Sequence, residues 1–333
     1  MADTLIQRIK GILVGVALGD AMGMPTELWT RQMIKEEFPA GVKKFSKSIN
    51  KGAIIRDMKA GQITDDTINT IFLIKMLNKY HGEVSVEDYI EQLQEWSADS
   101  ELAELVSGPS TRKALDLLKK GVPITQTGRF GTTNGAAMKI APIGIISDYQ
   151  NLEELVNRVY QICIPTHNTS IAIAGASSVA AAISYTSAGG KDLNQIFELA
   201  ETAIRLGLKK GYDVATASLI RRLAIVRELV DNKSEEEVMT TLYEVLGTGV
   251  ETIETIPSVF AIVYLAQGNP LKAAQLSASL GGDTDTIGAI STAICGGIEP
   301  INDVQIIQTL ETVNQLDFDE LAEQLIHFSP YLD

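Results

Sequence analysis

Apolar residues recur at three- and four-residue steps through almost the whole chain, and strict alternation at every second position is scarce. That rhythm confines the chain to helix-on-helix packing. Between Val86 and Leu105 the apolar positions stand among Glu, Asp and Gln, as on an amphipathic helix. Segments near 112–120, 152–164, 170–187, 194–210, 214–231, 234–246, 256–267, 270–280, 286–296 and 303–313 read the same way. The Ala-rich stretch "TSIAIAGASSVAAAISYTSAGG" predicts a buried helix whose small residues let neighbours approach, stopped by Gly189 and Gly190. The best strand candidate, "VKKFSKSI" from Val42, is short and reads as a loop or minor hairpin. No linker, composition shift or fixed-period repeat divides the chain. The expectation is one all-α domain over residues 1–333.

Composition narrows the function classes. At 45% hydrophobic and 21% charged residues, the 333-residue chain has the makeup of a folded globular protein. Its 28 basic and 42 acidic residues leave a net charge of -14, a field that opposes binding to nucleic acid or to an anionic membrane. A small anionic ligand stays open, because helix termini act locally. Arg8 and Lys10 precede the apolar run "GILVGVALG", as in a leader, but the run ends at Asp20 without a small-residue cleavage site. No segment offers the roughly 18 uninterrupted apolar residues of a membrane helix. Cys163 and Cys295, the only cysteines, read as buried hydrophobes of a reduced protein, and the expected location is cytoplasmic. Two cysteines and three histidines (His81, His167, His327) at unhelpful spacings exclude a Cys- or His-based metal motif. Any metal would be held by oxygen.

Two stretches supply that oxygen. "GQITDDT" sets Asp65 and Asp66 side by side between Thr64 and Thr67, just before an apolar run. "LGGDTDTIGAISTAI" places Asp283 and Asp285 ahead of Thr286 at the start of another helix. Helix capping explains Thr64 and one first-turn acid. It does not explain an adjacent second acid, and still less a second cluster. If the two helix starts face each other, four carboxylates and two threonine hydroxyls converge, and one or two divalent cations relieve the repulsion. Oxygen-only ligation suits Mg2+ first and Mn2+ second; calcium fits less well, because neither loop resembles an EF-hand. A D-x-D motif of the phosphatase or glycosyltransferase kind is rejected, since Gly281 and Gly282 after a helix precede the pair rather than an apolar strand.

With those clusters in view, five blocks resemble the ADP-ribosylglycohydrolase family. They are "GILVGVALGDAMGMPTE" (11–27), "GQITDDT" (61–67), "TNGAAMKIAPIG" (133–144), "THNTSIAIAGA" (166–176) and "LGGDTDTIGAISTAI" (280–294), in the family's order. The resemblance implies a compact multi-helix orthogonal bundle with a dinuclear metal cleft. It implies Thr64, Asp65, Asp66, Asp283, Asp285 and Thr286 as ligands of two divalent cations. Glu27, Asp66 and Asp285 would carry the catalytic step: Glu27 handles the proton, while the aspartates act mainly as ligands. Asn134, Gly135 and His167 would lie against the substrate. "SGPSTRKAL" (107–115) matches more loosely, and capping by Ser107 is the simpler reading of it. No acid stands beside Asn134-Gly135, and the small-residue run after the last block ends in "CGGIEP", so the leaving-group side is undefined.

The implied activity is hydrolysis of the bond between ADP-ribose and an acceptor, either a protein side chain or a small molecule. Two alternatives stay open: hydrolysis of a smaller nucleoside-like glycoside, and non-catalytic ADP-ribose binding. The acceptor and the oligomeric state are undefined by the sequence.

Overall fold

The structure is a computed structural model that describes residues 2–52, 55–99 and 101–332. It is all-α: among the described residues there is no strand, only isolated bridges pairing Trp29 with Gly282, Thr133 with Glu251 and Thr169 with Tyr212. The Val42–Ile49 stretch is irregular, tied by Ser48 N–H to the Met58 carbonyl at 3.0 Å.

Most expected helices form within a few residues of their predicted ends. Ser170–Ser187 is one, with the Thr169 hydroxyl accepting from Ala172 N–H at its start. Its 18 residues average 1.2 in hydropathy, long and apolar enough to cross a membrane by length and composition, yet 94% of it is buried inside the fold. The predicted 234–246 helix is α-helical only over Glu235–Thr241 and continues as a π-helical turn over Leu242–Leu246. Helices at Arg31–Glu37 and Phe318–Ile326 were not expected. Cys163 and Cys295 are free and buried, as their number implied.

One helix pair positions everything that matters below. Ala2–Gly23 lies antiparallel to Thr284–Ile298, meeting Gly296 at Gly11, Thr292 at Gly15, Gly288 at Gly19 and Thr284 at Gly23. The four-residue spacing of Gly11, Gly15, Gly19 and Gly23 keeps one face of the helix bare, so backbone meets backbone. A Cβ on Gly19 would sit 2.0 Å from the Gly288 carbonyl oxygen. No side chain fits there.

The antiparallel arrangement puts the end of the first helix beside the start of the second. The Thr284 hydroxyl donates to the Gly23 carbonyl at 2.8 Å, and the Thr26 hydroxyl donates to the Ala278 carbonyl at 2.8 Å, satisfying polar groups left over where helices end. A third helix, Asp65–Lys79, docks its N-terminus on the same spot. Asp20, wholly buried on the first helix, accepts from Thr64 N–H at 3.0 Å, from Thr67 N–H at 3.2 Å and from the Thr67 hydroxyl.

Candidate metal centre

The two acidic clusters meet. Asp66 Oδ2 accepts from the Thr64 hydroxyl at 3.1 Å and from the Thr286 hydroxyl at 3.3 Å, so residues 220 positions apart share one carboxylate oxygen. Asp65, Asp66, Asp283, Asp285 and Glu27 line a single narrow cleft of about 50 Å³. Oxygens of Glu27, Asp283 and Asp285 lie within 4.8 Å of one another. Glu27, expected near the clustered aspartates, therefore stands among them.

Local backbone chemistry explains the loop that delivers Asp283. Gly281 and Gly282 have φ of +89° and +82°, left-handed values open to glycine and strained for other residues. Gly282 also pairs in both directions, its carbonyl accepting from Leu28 N–H at 2.7 Å and its N–H donating to the Trp29 carbonyl at 3.0 Å. Asp283 N–H then donates to the Thr248 carbonyl at 2.7 Å. Asp285 accepts from Thr286 N–H at 2.9 Å.

Crowding of buried carboxylates raises every pKa in the cleft. Burial pushes Asp66 well above the usual carboxylate range, and Asp285, Asp20, Asp65 and Asp283 push it further. Asp285 is raised well above that range by burial and then by Asp283. Burial and Glu27 raise Asp65 to about 8 and Asp283 to about 7. Asp20 rises only to about 6, because the Thr64 and Thr67 donors partly offset its burial. Glu27 is raised well above its ordinary value by burial and by Asp285, against the pull of Arg56. These residues fit divalent cations by a further test. Asp66 Oδ1 is buried with no hydrogen-bond partner among the described residues, an orphan that a cation would satisfy.

Residues expected to touch substrate are placed less uniformly. Asn134 lines the cleft, but its amide is already committed: Nδ2 donates to Asp283 and to the Thr255 hydroxyl at 2.8 Å. It orients a carboxylate rather than offering a free donor. Gly135 also lines the cleft, and a Cβ there would lie 2.8 Å from Cε1 of His167. His167 sits behind that wall, wholly buried, with Nε2 3.1 Å from the Thr133 hydroxyl and Nδ1 2.8 Å from the Thr166 hydroxyl. His167, expected against the substrate, is placed here with its ring packed where Gly135 lacks a side chain. Burial, with Lys139 nearby, drops its pKa well below the ordinary value and keeps it neutral. Capping by Ser107 is corrected. The helix Pro109–Lys119 starts after Gly108, with no side-chain cap and proline in its first turn. The Gly108 N–H lies instead against the Asp65 carboxylate.

Three supporting residues escaped sequence reasoning. Asp20 carried a signal, a lone acid inside a glycine-spaced apolar run. Arg56 carried none, lying in an irregular segment; it is 6% exposed and donates to the Glu27 carboxylate and, at 3.0 Å, to the Met24 carbonyl. Lys139 is a single cation in an apolar stretch, wholly buried, 5.0 Å from the Tyr89 ring centre, and burial lowers its pKa to about 8. Tyr89 donates to Asn69 at 2.9 Å, and Asn69 donates to the Asp65 carbonyl at 2.8 Å. That chain braces the acidic turn from below.

A fold with an oxygen-lined acidic cleft at the joint of three helix ends defines a class, and comparison with known proteins gives its family. A model of the ADP-ribosylglycohydrolase family matches residues 1–330. The chain belongs to that family. It is 35% identical over 326 residues to the uncharacterized protein YegU of Escherichia coli (strain K12), covering 97% of each chain. It is 24% identical to ADP-ribosylhydrolase ARH3 of Xenopus tropicalis, covering 96% of this chain and 95% of the relative. A solved structure of an ADP-ribosylglycohydrolase-related protein complex superposes with a TM-score of 0.71 at 20% identity, covering 99% of this chain and all of the other, and shares the fold.

Proposed function

We propose that this protein is a metal-dependent hydrolase that cleaves the glycosidic bond between ADP-ribose and an acceptor. The observation that carries the reading is the orphaned Asp66 Oδ1 at the centre of convergent, buried carboxylates. Asp65, Asp66, Asp283 and Asp285, with the hydroxyls of Thr64 and Thr286, would hold two divalent cations, Mg2+ or Mn2+. Bound there, the cations keep the carboxylates ionised and lend Lewis acidity toward the ribose hydroxyls.

The chain's own residues supply the rest. Cleavage at the anomeric carbon develops positive charge on the ribose ring, which the surrounding carboxylates favour. The bond to the acceptor would break as water adds to that carbon, and Glu27 would take the proton of the attacking water and pass it to the departing acceptor, returning to its starting state. Arg56 holds Glu27 in place through its guanidinium. Asn134 fixes Asp283, and Asp20 fixes the first turn that carries Asp65 and Asp66.

A cleft of about 50 Å³ admits ions and the edge of a sugar, so the remainder of ADP-ribose would lie across its mouth. The same small space favours, as a second reading, a smaller nucleoside-like glycoside. Incubation with ADP-ribosylated arginine and serine substrates, with Mg2+ or Mn2+ and then with chelator, tests the function. Release of ADP-ribose that stops on chelation is expected. No release under any metal condition overturns the first reading, and turnover of free ribosides alone selects the second.

A further inference from the structure

A second cavity is larger than the acidic cleft. It measures about 460 Å³ and lies behind the loop that carries Asp283. Its floor is apolar, formed by Ile34, Phe38, Met239 and Leu276, and its rim is cationic. Arg31, Lys35, Lys43 and Lys272 face two acids, Glu235 and Glu236. That local excess of positive charge stands in a chain of net charge -14.

The cations are not used up by each other's neighbours. Glu236 serves both Arg31 at 2.8 Å and Lys35 at 2.9 Å, and Glu235 pairs with Lys272 at 2.9 Å. Lys43 has no ion-pair partner among the described residues. Arg31 is only 8% exposed, and its buried Nε has no hydrogen-bond partner. Its other nitrogens donate to the Thr240 hydroxyl at 2.6 Å and to Glu236, so Arg31 contributes positive field to the cavity while Lys43 offers the free ammonium. Volume, apolar floor and a few charged groups together match the makeup of a small-molecule site.

We propose that this cavity is a second ligand site, for a small organic anion: an apolar or aromatic body on the Ile34–Phe38 floor, and a phosphate or carboxylate met by Lys43 and the Arg31 side. Nothing in the hydrolase reading requires it, and neither reading depends on the other. Its position ties it to the metal loop. Ser279, which lines the cavity and accepts from Val42 N–H at 3.0 Å, lies four residues before Asp283. Arg31 lies two residues after Trp29, whose carbonyl accepts from Gly282 N–H. An occupant would therefore touch Arg31 and Ser279, which flank the two segments joined at the Trp29–Gly282 bridge.

Trp29 reports on that bridge, since it is 3% exposed and only two tryptophans exist. In a Trp96→Phe background, in chelator, phenyl phosphate and inorganic phosphate are titrated against Trp29 fluorescence. Phenyl phosphate is expected to saturate, and more tightly than inorganic phosphate, because only it uses the floor. Lys43→Glu, an exposed change with little effect on folding, should weaken phenyl phosphate about tenfold or more. Phe38→Ala should weaken phenyl phosphate more than inorganic phosphate. Asp66→Asn should leave both unchanged. The proposal is overturned if phenyl phosphate does not saturate, if Lys43→Glu binds it as well as the parent, or if Asp66→Asn abolishes binding.

Discussion

The Ala2–Gly23 and Thr284–Ile298 helices are opposite in character along their length and at their shared end. Along the pair, the bare glycine face of the first helix meets the backbone of the second with no room for a methyl group. At the end, the same two helices bring Asp20, Asp283 and Asp285 into one acidic cluster that Glu27 joins from the turn after Gly23, with Arg56 as the cation paired to it. Close packing supplies rigidity, and rigidity lets like charges be held together against their repulsion. The difference teaches where this fold is stable for its own sake and where it is kept strained for a ligand.

The comparison breaks most sharply at Asp66. Asp66→Asn or Asp285→Asn should abolish metal binding, measured calorimetrically, and lower turnover on the order of a thousandfold. The metal-free thermal midpoint should hold or rise, since a buried like charge is removed. A large fall in that midpoint would mean that the cleft is structural. Gly19→Ala should do the reverse. Its methyl would meet the Gly288 carbonyl, destabilising the fold by about 3 kcal/mol in denaturant titrations, while the folded fraction keeps its metal affinity. Glu27→Gln should reduce turnover about a hundredfold with metal still bound. Loss of metal in that variant would instead make Glu27 a ligand, as its position within 4.8 Å of Asp283 and Asp285 permits.

The smallest effect is in pH. Asp20, Asp283 and Asp65 are raised from the ordinary 3.8 to about 6, 7 and 8. The folded state therefore holds protons that the unfolded chain has released, and chelated protein should lose stability as pH rises from about 4 to about 8. Added Mg2+ or Mn2+ should flatten or invert that slope, and Asp283→Asn should make it shallower. Stability that rises with pH in chelator would show that these carboxylates are already compensated without a cation.

Much of this was legible in the residues. The Ser170–Ser187 helix follows from an Ala-rich run with Thr169 at one end and Gly189 beyond the other. Thr64 proves to be both things that its type allows, a helix cap accepting from Asp66 N–H and a hydroxyl in the acidic cluster. Other features were visible without being interpretable. The Gly11-Gly15-Gly19-Gly23 spacing acquires meaning only from Gly288 and Gly296, far away in sequence. Asn134, Gly135 and His167 stand in the expected neighbourhood, but which of them faces the cleft depends on how the Leu152–His167 helix seats against the Asn134 turn. Arg56 had no local signal, because an irregular segment advertises no direction for its side chains.

Most of the helical periodicity and the Thr64 and Thr169 caps were settled by the sequence alone, since each depends on groups a few residues apart. Helical class, the two acidic turns and their oxygen-only chemistry came from that short range. Only the tertiary structure decided that Asp66 and Thr286 touch, that Glu27 joins the acids and that His167 does not reach the cleft. Electrostatics acts through distance in space, and the chain's order along its length does not specify that distance.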